Sequence, residues 1–131
     1  TYFTQNEGFV LEYYCMMLFA ACGMLLLTMA AELITVFIAL EIMSLAIYTL
    51  IASDRRSVLR SEAVLKYIMI GAVAGAFFVM GSVFIYEGAK STKFADIGLV
   101  VAETGFLTNP ALVGGTLMIL VAFLFKAAAF H

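Results

Sequence analysis

The chain has 131 residues, of which 65% are hydrophobic and 12% charged, and a net charge of −2. A water-soluble globular domain is about half apolar and about a quarter charged, so this composition excludes that class and points to a membrane protein. The acidic balance, with no large basic cluster, argues against a nucleic-acid partner.

Residues 1–12 are polar with some aromatics and are expected at the membrane interface. They have no basic stretch or small-residue cleavage pattern, so they do not read as a signal peptide. A first span is expected over 13–31, with Tyr13 and Tyr14 suited to the headgroup level. Cys15 and Cys22 lie about 10 Å apart along that helix, too far for a disulfide, and read as small packing residues. The second span, 33–52, reads LITVFIALEIMSLAIYTLIA. About twenty residues at roughly 1.5 Å each cover the ~30 Å hydrocarbon core. One helix from Tyr13 to Ala52 would be about 60 Å long, so the chain must turn. The only polar place for it is 28–35, around Glu32, although neither Gly nor Pro is there.

The segment 53–62, SDRRSVLRSE, is expected to be a loop. Asp54, Arg55, Arg56 and Arg60 put it on the cytoplasmic side by the positive-inside rule, and Ser61-Glu62 reads as a helix start. A third span is expected over 63–86, with Gly71-xxx-Gly75, Ala72-xxx-Ala76 and Gly81 as a face for close helix approach. The connector 87–109 carries Lys90, Lys93, Asp96 and Glu103. Its middle, FADIGLVVAE, reads as a short surface helix. Asn109-Pro110 is an N-cap followed by proline at the first helical position, opening a fourth span over 111–131. The expected fold is therefore all-α, a polytopic bundle of four spans. A β-barrel is excluded, because the apolar runs lack period-two alternation. With no initiator methionine and an apolar end, the chain reads as a piece of something longer.

Charges inside the spans carry the functional reading. Glu41 falls near the midplane, where an unpaired carboxylate costs at least about 2.5 kcal/mol. It needs a partner, a water-filled cavity or a proton, and each points to ion movement. Ser44 and Tyr48 share its helical face and form a polar stripe able to hold water or pass a proton. The alternative is a neutral Glu41 hydrogen-bonded to another helix, since desolvation favours the protonated form. Lys66 lies about one turn inside its span, close enough to reach the headgroups, and Glu62 stands four residues before it as a salt partner. Lys126 is deeper. It either reaches the far surface or is buried as a switchable proton carrier. No role is assigned to His131. There is no metal-ligand spacing, phosphate loop or Ser/His/Asp set, so neither a self-contained active site nor a bound cofactor or metal is expected.

The segments ALEIMSLAIYTLIAS, SEAVLKYIMIGAVAGAFFVMGSVFIYEGAKSTKF and LMILVAFLFKAAAFH resemble consecutive helices of the antiporter-like subunits of respiratory complex I, NADH:quinone oxidoreductase. The E-[IL]-x-S-L and E-A-x-L-K-Y-x-x-x-G patterns resemble the subunit N family, counterpart of mitochondrial subunit 2, more than the sister subunits or the cation/proton antiporter subunits that share the fold. The resemblance implies an inverted-repeat fold whose repeats each form a half-channel, with this piece supplying the first helices of the first repeat. It implies that Glu41, Lys66 and Lys126 form a proton pathway with Ser44 and Tyr48. Protonation of the acid would change the charge near a lysine and so that lysine's hold on its proton. It further implies a bacterial inner membrane, or alternatively the mitochondrial inner membrane. The partners would be lipid and the other membrane subunits of the complex, with NADH and quinone used by the parent complex and not bound by this chain. The sequence departs from the family where Phe130-His131 follows Lys126 without the usual proline. Two other functions stay open: a structural membrane subunit whose charges only pair internally, and a cation/proton antiporter subunit.

Overall fold

In a hydrocarbon environment a backbone must satisfy its own hydrogen bonds, and uninterrupted apolar runs do so as helices. A computed structural model of the chain describes the backbone of residues 2–52 and 58–128 and the side chains of 10–52 and 62–128. It contains α1 (Tyr2–Thr28), α2 (Leu33–Ala52), α3 (Val58–Ala89), α4 (Phe94–Thr104) and α5 (Pro110–Ala128). Four stretches are long and apolar enough to cross a membrane: Val10–Thr28, Leu33–Ala52, Glu62–Ala89 and Pro110–Ala128. Leu18, Leu25, Leu45, Leu65, Met69 and Leu124 point outward, as side chains meeting lipid or neighbouring helices do. Two hydroxyls within the spans bond back to the backbone of their own helix. Thr49 Oγ1 donates to Leu45 O at 2.8 Å and Ser82 Oγ to Phe78 O at 2.8 Å.

Two helix starts differ from expectation. α1 already begins at Tyr2, so the polar N-terminal segment forms its first turns. α3 begins at Val58, ahead of the Ser61-Glu62 start, and runs to Ala89. No proline lies between these ends to stop it. Asp54, Arg55, Arg56 and His131 lie outside the described residues, as does the rest of 53–57.

The turn between α1 and α2, expected around Glu32, spans 29–32 and manages without Gly or Pro because a second segment supplies its hydrogen bonds. Leu33 N donates to Thr92 O at 2.9 Å, and Phe94 N donates to Ala31 O at 3.0 Å. These bonds frame an antiparallel bridge between Glu32 and Lys93. Thr92 Oγ1 adds a bond to Glu32 Oε2 at 3.4 Å. The turn and the α3–α4 connection are thus stitched together at one end of the bundle. The short helix in the connector forms as α4. Its Ile97, Val100 and Val101 pack on the core while Leu99 faces out.

α3 and α5 make the largest helix–helix contact, followed by α1 and α2. The α3–α5 crossing is a glycine-on-glycine approach. A Cβ at Gly115 would lie 2.5 Å from Gly81 O and 2.9 Å from Ile85 N, and one at Gly81 would lie 2.7 Å from Gly115 O. Gly23 seats α1 on α2 in the same way, 3.0 Å from Ala39 O and Met43 N. Leu33, Val36 and Leu40 of α2, Phe78, Ile85 and Ala89 of α3, and Leu112 and Ala122 of α5 form the core. Phe37 stacks on Phe78, whose ring also meets the edge of Phe123.

Asn109 behaves as the sequence suggests and does a second job. Its Oδ1 accepts from Leu112 N at 3.4 Å, capping α5, while its Nδ2 donates to Gly88 O at 3.2 Å, closing the end of α3. Asn109→Ala removes both bonds and is expected to cost about 1–2 kcal/mol, read as a lowered unfolding temperature of the detergent-solubilised protein. Gly115→Val drives two backbones apart. It is expected to destabilise by about 3 kcal/mol, the upper end of overpacking, seen as reduced yield of folded protein in the membrane.

Candidate functional site

The antiparallel arrangement of α2 and α3 sets the polar stripe of α2 against the small-residue face of α3. Glu41 faces Gly75, where an added Cβ would sit 3.2 Å from its Oε1, and the Tyr48 hydroxyl rests directly on Gly71. At Gly71 only a bare Cα leaves room for the tyrosine tip. Ser44 lies between Glu41 and Tyr48 on the same stripe, one helical turn from each. Tyr48 also lies within electrostatic reach of Glu41.

α5 completes the group. Lys126 Nζ donates to Ser44 Oγ at 3.1 Å, joining residues far apart in sequence. Lys126 stands in the last turn of α5, but helical side chains lean toward the N-terminus. The ammonium is therefore carried inward, to the level of the middle of α2. The sequence left open whether this lysine reaches the far surface or turns into the protein, and it turns inward, half-buried.

Two cavities flank the line. One, of about 270 Å³, lies between α2, α3 and α5 and is walled by apolar side chains together with Ser44, Tyr48, Tyr67, Gly71 and Lys126. The other, of about 490 Å³, is a more open cleft between α2 and α3 lined by Phe37, Glu41, Gly71, Gly75 and neighbouring small residues. A water takes about 30 Å³ of liquid, so either holds several. Such a line of carboxyl, hydroxyls and ammonium can carry a proton or pair charges away from lipid.

Lys66 lines neither cavity. Its exposed side chain pairs with Glu62 at 3.6 Å, one helical turn away, an arrangement that contributes little by itself. The structure therefore brings together Glu41, Ser44, Tyr48 and Lys126 and leaves Lys66 on the outer face of α3. Sequence reasoning passed over Tyr67, Gly71 and Gly75 as site residues. In the sequence, the four-residue spacing of the two glycines reads as a helix-packing face. Cys15 and Cys22 are free thiols exposed on the outside of α1.

Residues 30–131 match the sequence profile of the NADH:quinone oxidoreductase/Mrp antiporter transmembrane family. The chain belongs to this family. Among its relatives, the NADH-quinone oxidoreductase subunit N of Trichlorobacter lovleyi is 38% identical over 128 residues, which is 96% of this chain and 26% of that protein. Subunit N of Salinispora arenicola is 41% identical over 130 residues, covering 92% of this chain and 25% of the relative. A chain in the structure of respiratory complex I from Thermus thermophilus with bound aureothin superposes with a TM-score of 0.59 at 30% identity, covering 91% of this chain and 32% of that one. The chain thus spans about a quarter of the length of the curated relatives it matches. With four helices of spanning length and these bacterial relatives, this family member is an integral inner-membrane protein of the antiporter-like, complex I type.

Ser44 is the joint of the polar line. Ser44→Ala leaves the Lys126 ammonium without its partner on α2 and is expected to cost about 1.5–3 kcal/mol, the range for a hydrogen bond to a charged group. The loss would be read as a drop in the unfolding temperature of the protein in detergent.

Proposed function

We propose that the chain is part of a proton-translocating membrane subunit of an NADH:quinone oxidoreductase complex. Quinone reduction elsewhere in that complex drives protons along an axis from Glu41 to Lys126. What supports this is the 3.1 Å bond from Lys126 to Ser44, which ties an ammonium on α5 to the hydroxyl stripe of α2 that begins at Glu41. A carboxyl group and an amine at the two ends of such a line control one another's charge. The hydroxyls between them give a proton a route from the carboxyl on α2 to the amine on α5. Lys66, which lines neither cavity and pairs with Glu62, would join this path only through whatever packs against the outer face of α3. NADH and quinone are handled by the other subunits, and lipid and those membrane subunits cover the apolar exterior.

The family description also names the Mrp antiporters, which favours, as a second reading, exchange of a cation for protons without electron transfer. Cation-dependent proton movement in proteoliposomes lacking an electron donor would select that reading. In the assembled complex, Glu41→Gln is expected to leave assembly intact and reduce redox-driven proton pumping on the order of a hundredfold, the low end of what a positioned proton-transfer group contributes. Unchanged pumping in this variant would reject the axis and leave the internal charges a purely structural role.

A further inference from the structure

The two cavities do not merge. Among the described residues, Glu41 lines the open cleft, while Ser44, Tyr48 and Lys126 line the chamber between α2, α3 and α5. Gly71 alone lines both. The Tyr48 hydroxyl is seated on that same glycine, with the ring carbon Cζ at 3.0 Å from where a Cβ would stand. The two spaces thus meet at Gly71, and the tip of Tyr48, which lines the chamber, rests on the bare Cα of that residue.

We infer that the Tyr48 hydroxyl, seated on Gly71, is the partition at which a proton passes from the Glu41 cleft to the Lys126 chamber, with Gly71 as its positioning residue. The inference rests on the proton-axis reading of the same site. A phenol suits the place because it donates one proton and accepts another at a single oxygen. A proton leaving the Glu41 carboxyl crosses by water in the cleft to the Tyr48 oxygen. Tyr48 gives its own proton to Ser44, and Ser44 gives its own to the Lys126 amine. Both hydroxyls end neutral, Glu41 ends as carboxylate and Lys126 as ammonium, so no other reactant is needed. On the chamber side Lys126 Nζ already donates to Ser44 Oγ at 3.1 Å, and Tyr48 stands one helical turn from Ser44 on the same face, so the last transfer reverses a hydrogen bond that is already present. The glycine matters because any side chain at position 71 would occupy the seat. Tyr48 would then swing away, and the cleft and chamber would either part or run together.

The test uses the full-length subunit in the assembled complex and three variants, Tyr48→Phe, Gly71→Ala and the double variant, scored for complex assembly, NADH:quinone turnover and protons moved per NADH oxidised. Tyr48→Phe keeps the ring and loses only the hydroxyl. It is expected to assemble as the native protein does while pumping falls to the level of Glu41→Gln. Gly71→Ala is expected to lose pumping as well, with weakened assembly from the clash. Adding Tyr48→Phe to it removes the clashing oxygen, which is expected to restore assembly but not pumping. A merely structural Tyr48–Gly71 contact would give the opposite result, a Tyr48→Phe complex that pumps normally, and that outcome overturns the inference. If Gly71→Ala does not assemble, the Tyr48→Phe result decides. Loss of pumping in Glu41→Gln with normal pumping in Tyr48→Phe sinks the partition alone. Normal pumping in Glu41→Gln sinks the axis beneath it.

Discussion

An ammonium on one helix held by a hydroxyl on another, inside a bundle of largely apolar helices, is the constraint on which the rest of this structure depends. Lys126 and Ser44 meet only if α5 lies against α2 and α3 at the right depth. That depth is set by the glycine crossing of Gly81 and Gly115 and by Asn109, which ties the start of α5 to the end of α3. In lipid, burying apolar surface supplies no drive for helices to associate, so close packing and interhelical hydrogen bonds must do it. The same devices that hold the helices together also place the polar groups.

The site is built from what one face of α2 carries and what one face of α3 lacks. Glu41, Ser44 and Tyr48 project from successive turns of α2, and Gly71 and Gly75 leave the facing surface open to receive them. Side chains in the facing positions would fill the space where cleft and chamber now stand. The aromatic cluster of Phe37, Phe78 and Phe123 fills the layer around Phe78 with apolar rings. This confines polar chemistry to the α2 stripe and its α5 contact.

Much of this was legible in the sequence. Twenty-residue apolar blocks dictate spanning helices, and Asn109-Pro110 marks the start of α5 by capping chemistry that is entirely local. Glu41, Ser44 and Tyr48 share a face by helical periodicity alone. What was not legible depends on contacts between distant segments. The turn near Glu32 is held by Thr92 and Phe94, some sixty residues on, so local turn signals were bound to fail there. Whether Lys126 pointed inward or out depended on a partner on α2 that no pattern within α5 encodes. The sense of Gly71 and Gly75 as seats for Tyr48 and Glu41 required the antiparallel register of two helices. Lys66 shows the converse, since its local partner Glu62 was readable from spacing and is the one it keeps.

The central claim is that Lys126 and Ser44 interact energetically across the α2–α5 contact. The most direct measurement is a double-mutant cycle on the unfolding free energy of the full-length protein, using Ser44→Ala, Lys126→Met and the pair. The expected result is a coupling of about 1–2 kcal/mol, within the range for residues in direct contact. Strictly additive effects would contradict it, because two side chains that never meet lose nothing in common.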